Sequence, residues 1–395
     1  MKLNDVLKTA LAKGSSDIHL KVGNPPIFRI NGVLRALKDA PRLTPELIKE
    51  VAYSVMSDRH KERFQEHNEI DLSYAVSGMG RFRVNVFRQR GSITVVFRII
   101  PFKIPFIDEL LLPPVIEKLA LRNRGLILVT GTTGCGKSTT LASMINHINM
   151  HRNNHIITIE DPIEFLHRDK KSIINQREIG EDTDTFARAL RSSLRQDPDV
   201  ILVGEMRDLE TIETAIMAAE TGHVVFSTLH TLDATETINR IIAVFPPHQQ
   251  TQIRIQLSSV LEGVISQRLV PKADGSGRVP AVEVLVATAR IREYVLDELR
   301  TKHIVDAISE GHIQYGMQTF DQSLMALLGQ GLITYEEALR QASNPDDFAL
   351  KYSGVSATSN TTWDNFAKEE NTESREQSFD ADQSNRDLEL DLELD

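Results

Sequence analysis

The sequence predicts an α/β fold built on a largely parallel sheet, and three observations lead there. The run Gly131-Thr132-Thr133-Gly134-Cys135-Gly136-Lys137-Ser138 satisfies the pattern G-x-x-x-x-G-K-[ST] at every fixed position. Its flanks have the required character: 125–130 (GLILVT) reads as a short buried strand, and 139–149 (TTLASMINHIN) reads as a helix. Further along, short apolar stretches at 156–159, 200–203 and 224–228 alternate with helical segments, the pattern of strands covered on both faces.

The loop pattern implies phosphate binding. Its glycines let backbone N–H groups turn inward, and the helix that follows adds the positive end of its dipole. Lys137 is placed to reach phosphate oxygens, Ser138 to hold Mg²⁺, and Thr139 to extend the cradle into the helix. Cys135 lies in this loop near a helix N-terminus, a position that favours thiolate and predicts a reactive thiol.

Each later strand ends in a polar group. Residues 156–159 run into Glu160-Asp161-Pro162-Ile163-Glu164, 200–203 into Gly204-Glu205, and 224–228 into Leu229-His230. In a parallel sheet these carboxyl ends gather where ligands bind. Two acidic clusters beside a phosphate loop supply a carboxylate for Mg²⁺ and another to orient an attacking water.

The N-terminal third has a different texture. Residues 16–20 and 27–30 are strand-like, with Pro25-Pro26 and Asn31-Gly32 as turns. Thr44 is placed to cap a helix starting at Pro45 and running towards Met56 or beyond. Strands follow at 69–76, 81–87 and 92–99. The expected organisation is a small α+β domain over 1–99, a Pro-punctuated linker over 100–114, the α/β core over 115–286 and a helical region over 287–353. Residues 354–395 form an acidic tail, expected to be disordered.

A length of 395 residues fits two or three domains. The composition, 41% apolar and 25% charged, is that of a globular protein, and no apolar run reaches the ~18–20 residues of a membrane span. A single cysteine excludes an intramolecular disulfide and a multi-cysteine zinc site, and suits a reducing compartment. Of the net charge of −10, residues 364–395 carry nine units, with 12 acidic and three basic side chains. The near-neutral remainder gives no electrostatic footprint for nucleic acid. The end of the tail, LELDLELD, alternates strictly, so an extended chain would put leucines on one face and acids on the other.

The segments GTTGCGKSTTLA, ITIEDPIEF, LVGEMRDLETI and FSTLHT resemble the Walker A, Asp, Walker B and His boxes of secretion-type hexameric ATPases. Within that superfamily, SSDIHL, RFRVNVFRQRG, INQREIG and AETGHVVFSTLH extend the resemblance from Ser15 to about Ser353, to the PilT-type retraction motors of type IV pili. The resemblance implies a RecA-like P-loop ATPase domain joined to a smaller PAS-like α+β N-terminal domain. It also implies a homohexamer that hydrolyses ATP to ADP and phosphate, with Mg²⁺, to do mechanical work. Such a motor would act at the cytoplasmic face of the inner membrane, peripheral to it. Its partners would be a platform protein of the pilus machine and paralogous pilus ATPases.

Residue by residue, the resemblance implies that Lys137 binds phosphate and that Ser138 and Glu205 hold Mg²⁺. Glu164 would polarise the attacking water and His230 would sense the γ-phosphate. His223 matches the other His-box histidine, with its role open. Arg81, Arg83, Arg88, Arg90 and Arg98, on strands of the N-terminal domain, are candidate arginine fingers or sensors. The sequence departs from the family at Cys135, where serine is usual, and at 290–295 (RIREYV), which replaces AIRNLI. The second departure leaves an accessory PilU-like pilus ATPase as the alternative to a retraction motor. A DNA-translocating ring is disfavoured by the near-neutral body, and a non-hydrolysing scaffold by the intact Glu164 and Glu205.

Overall fold

The structure is a computed structural model that describes residues 2–30, 32–38, 40–100 and 103–354. Asn31 of the expected turn, Pro101 and Phe102 of the expected linker, and the acidic tail beyond Gly354 lie outside the described residues.

Two sheets organise the chain up to Thr319, which forms one compact unit; a second begins at Phe320. The first sheet is antiparallel, with strands β1 (Ser15–Lys21), β2 (Ile27–Ile30), β3 (Val33–Ala36), β4 (Glu69–Val76), β5 (Gly80–Gln89) and β6 (Ser92–Ile99) in the order β3-β2-β1-β6-β5-β4. Alternation decides which face is buried. On β5, Phe82, Val84 and Val86 point into the core while Arg81, Arg83 and Asn85 take the other face. Phe82 meets Phe97 of β6 edge to face, centroids 6.3 Å apart.

Thr44 caps the helix Pro45–Ser54 as expected, its hydroxyl accepting from Leu47 N at 3.3 Å. That helix does not run on past Met56. Ser57 caps a separate helix, Asp58–His67, by accepting from His60 N. Both cover the buried face of the sheet through Ile48, Val51, Ala52 and Phe64.

The second sheet contains β7 (Gly125–Thr130), β8 (His155–Glu160), β9 (Ile173–Glu178), β10 (Val200–Val203), β11 (Val224–Leu229), β12 (Leu261–Pro271) and β13 (Arg278–Val286), ordered β13-β12-β7-β11-β10-β8-β9. All neighbouring pairs are parallel except β12–β13, an antiparallel hairpin that the sequence pattern does not announce. Every residue of β7, β10 and β11 is buried, which is why these strands read as unbroken apolar runs. Helices Lys137–His151, Leu209–Glu220 and Ala234–Ala243 contribute Leu141, Ile212 and Ile238 to the same core. Ile107 and Leu112, from the Pro-punctuated stretch, are also buried there. Residues 289–319, helical as expected, pack with this unit through Ile291, Val295 and Ile304.

Candidate active site

The phosphate loop leaves β7 at Thr130 and enters its helix at Lys137. Gly131, Gly134 and Gly136 have φ of 137°, 80° and 97°, where any side chain is strained. At Gly131 space also forbids a side chain, and at Gly136 one would displace Gln267. A Cβ on Gly131 would stand 2.4 Å from the carbonyl oxygen of Gln267, and one on Gly136 would stand 2.7 Å from Gln267 Nε2. The Lys137 ammonium lies inside the loop, donating to the carbonyls of Gly131 (2.7 Å) and Thr132 (3.0 Å). Burial holds its pKa below the ordinary lysine value, against the pull of Cys135 and Glu205.

Thr133, Gly134, Gly136, Lys137, Ser138 and Thr139 border a cavity of about 760 Å³. Gly131, Thr132 and Cys135 do not border it; Gly131 and Cys135 are buried, whereas Thr132 is exposed. Cys135 departs from the expectation of a reactive thiol. It is 4% exposed, and burial pushes its pKa up, outweighing the nearby Lys137 charge. Packing against Gly131, not the helix dipole, sets its chemistry: a Cβ there would meet Cys135 Sγ at 2.6 Å.

The carboxyl ends of β8, β10 and β11 face the same cavity. Glu164, Glu205 and His230 all border it. Glu205 lies 2.7 Å from Arg207 Nε and 3.6 Å from His230 Nε2. Thr228 Oγ1 donates to the carbonyl of Gly204 at 2.7 Å, tying the end of β11 to the residue before Glu205. Within the acidic run 160–164 the roles divide. Glu160 is a half-buried brace at the cavity's edge whose pKa is raised by desolvation; it accepts from Thr158 Oγ1 (2.6 Å) and Gln176 Nε2 (3.1 Å). Burial and the negative charge of Glu205 raise Asp161. Glu164 is exposed to the cavity.

Gln176 of β9 shapes this loop further, donating to Phe165 O (2.9 Å) and accepting from His167 N (2.8 Å). It lies in the INQREIG segment, which marks the family resemblance without revealing this role.

His223 does not reach this cavity. It precedes β11, whereas His230 follows it, so the two lie about 23 Å apart along the strand at ~3.3 Å per residue. Its Nδ1 is engaged by Ala218 O (2.8 Å) and Thr221 Oγ1 (3.2 Å), and it does not border the cavity. It belongs to the C-terminal end of the helix Leu209–Glu220.

The five arginines separate. Arg83 and Arg98 border the cavity. Arg81, two residues from Arg83, does not: its guanidinium is engaged by Glu178 of β9 at 2.7 Å. Arg88 lies over the ring of Phe64, 5.5 Å from its centroid. Arg90 is not on a strand; with φ of 50° it sits in the turn between β5 and β6. Neither borders the cavity. Sequence reasoning missed Arg207 and Arg278, which do. Arg207 lies in plain view in the Walker B segment, but Arg278 reaches the site only through the unforeseen hairpin.

A parallel α/β sheet with this loop at the end of a central strand, and carboxylates at the ends of the strands beside it, defines a phosphate-loop protein. More narrowly, the chain belongs to the Type II/IV secretion system protein family, which matches residues 1–340. It is 45% identical to the type IV pilus retraction ATPase PilT of Pseudomonas aeruginosa over 88% of its length and 100% of that protein's. It is 41% identical to the type IV pilus ATPase PilU of the same organism, over 89% of this chain and 91% of that one. The crystal structure of the pilus retraction motor PilT with bound ADP shares 52% identity and a TM-score of 0.80, covering 88% of this chain and 98% of its own. No described helix is long and apolar enough to cross a membrane.

Proposed function

We propose that this chain is the ATP-hydrolysing motor of type IV pilus retraction, working as a homohexamer on a platform protein at the cytoplasmic face of the inner membrane. The observation that carries the reading is the convergence of Lys137, Ser138, Glu164, Glu205 and His230 on one cavity, in a chain of this family. The cavity is large enough for a nucleotide, whose sites run from about 300 to 1,000 Å³.

In this reading the backbone N–H groups of Gly134 and 136–138 and the Lys137 ammonium bind the phosphates of ATP. Glu164 orients the attacking water and takes its proton. His230, held towards Glu205, reports on the terminal phosphate. Arg83 and Arg98 offset charge that develops on transfer. Among the described residues no cluster of three or more His, Cys, Asp or Glu could cage a metal. That fits Mg²⁺, which is held by a hydroxyl, one or two carboxylates and the substrate's own phosphates. Ser138 and Glu205 border the cavity as such a donor pair. When bound, Mg²⁺ would neutralise phosphate charge and orient the leaving group.

An accessory pilus ATPase is the second reading, and the helix Ala289–Leu296 is what favours it. Arg290 pairs with Glu310 and donates to Tyr294 Oη at 2.9 Å, so the departures at 290 and 294 form one exposed network. Arg292, shared with the retraction motif, is anchored by Glu262 at 2.7 Å and by Ser259 O at 2.9 Å. Deletion and complementation in the source cell decide between the readings. A retraction motor predicts surface hyperpiliation and loss of twitching on deletion. Loss of twitching with normal pilus numbers supports the accessory role, and no change in either refutes both.

A further inference from the structure

Gln267 is the least expected residue near the phosphate loop. It sits on β12, the parallel neighbour of β7, one residue beyond the last registered pair, Ser266 with Thr130. Those two side chains are themselves joined, Thr130 Oγ1 to Ser266 Oγ at 3.0 Å. At the next position the loop turns away, and Gln267 follows it. Its Nε2 donates to the carbonyl of Cys135 at 2.7 Å. Its Oε1 accepts from Thr140 Oγ1 at 2.8 Å. One carboxamide thus bridges the loop's last turn and the first turn of its helix.

The environment makes both bonds consequential. Gln267 is 3% exposed and Thr140 is 1% exposed, so no solvent replaces a lost partner. The close approaches at Gly131 and Gly136, both to Gln267, show that the loop is wrapped on this residue. Neither Gln267 nor Cys135 borders the cavity, whereas Gly136, Lys137 and Ser138 do. The Cys135 carbonyl is therefore turned to the buried side. A carbonyl oxygen facing the cavity would repel a phosphate, whereas N–H groups attract it.

We propose that Gln267 is a positioning residue for anion binding: by holding the Cys135 carbonyl and the Thr140 hydroxyl, it keeps the loop in the shape that presents N–H groups to phosphate. The inference rests on the nucleotide reading of the cavity and names no direct contact between Gln267 and ligand. Glutamine, with one donor group and one acceptor, can make both bonds, whereas its near isosteres cannot. Glutamate would still accept from Thr140, but it would set a second acceptor against the Cys135 carbonyl. Methionine, of similar length, would make neither bond.

The test measures ADP affinity, together with kcat and KM for ATP, in full-length Gln267→Glu, Gln267→Met, Thr140→Val and the Gln267→Met/Thr140→Val pair. Gln267→Glu should raise the Kd for ADP and the KM for ATP by about tenfold or more, with kcat changed less than about threefold. Thr140→Val should raise both by about threefold, and in the Gln267→Met background it should add nothing further. Unchanged ADP affinity in Gln267→Glu overturns the inference, as do effects of Gln267→Met and Thr140→Val that simply multiply. Should Gln267→Glu fail to fold, the other three variants decide the question through the same non-additivity. A wild-type protein that does not bind ADP removes the nucleotide reading itself, a separate outcome from wild-type binding with insensitive variants.

Discussion

The guanidinium of Arg81 lies 2.7 Å from the carboxylate of Glu178, joining a strand of the antiparallel sheet to the edge strand of the parallel one. Glu178 also accepts from Ser73 Oγ at 2.5 Å and from Ile163 N at 3.4 Å, next to Glu164. The pair is therefore a structural fastening beside the site. With side-chain exposures of 21% and 5%, removing one partner leaves a charge with little solvent. Arg81→Ala should cost roughly 3 kcal/mol, the low end for a broken buried pair. Thermal or urea unfolding checks this. A variant of wild-type stability but poor turnover would make Arg81 a candidate arginine finger again.

Arg83 and Arg98 should behave differently. Both border the cavity, and Arg98 keeps 66% of its side chain exposed despite its 2.9 Å contact with Asp17. Alanine at either position should lower kcat by about tenfold or more while leaving stability within about 1 kcal/mol. Alanine at Arg88 or Arg90 should leave kcat unchanged. Steady-state ATPase assays of the four variants decide it, and equal effects at all four would refute the division.

Cys135 should resist alkylation in the folded protein. A buried thiol with a raised pKa offers little thiolate at neutral pH. Iodoacetamide should modify the urea-unfolded chain at least about a hundredfold faster than the native one, followed by intact mass. Comparable rates would show the thiol to be open.

His167 makes stability depend on pH. Burial, aided by the positive charge of Lys170, lowers its pKa to about 4 from the ordinary 6.5. The unfolded chain then takes up a proton more readily than the folded one. Its contribution is complete above pH 6.5 and declines as pH falls towards 4, by an amount on the order of 3 kcal/mol. Unfolding free energies of wild type and His167→Gln between pH 7 and 4.5 should converge or cross as the pH drops. Parallel curves would contradict the assignment.

The phosphate loop, Glu164, Glu205 and His230 are legible in the sequence because each is local: a strand's apolar run ends, and the next few residues face the cavity. The central strands are legible for the same reason, since burial on both faces leaves an unbroken apolar signature. What the sequence hides is long-range. Gln267 meets Cys135 across 132 residues, and Arg81 meets Glu178 across 97. Neither glutamine nor arginine carries a local sign of its partner. The thiol of Cys135 misleads because motif position suggests a helix dipole, whereas depth of packing decides the pKa. His223 precedes its strand, as the apolar run 224–228 already indicates, so only His230 lies at the end that faces the cavity.

Two carboxylates at strand ends drive hydrolysis of a nucleotide gripped by the phosphate loop: that is the central claim of the proposed function. Turnover of MgATP by wild type, Lys137→Ala, Glu164→Gln and Glu205→Gln, with ADP binding measured in parallel, tests it most directly. Each glutamine variant should lose about a hundredfold or more in kcat while binding ADP within about threefold of wild type. Lys137→Ala should instead lose binding. Near-normal hydrolysis by both glutamine variants would contradict the claim.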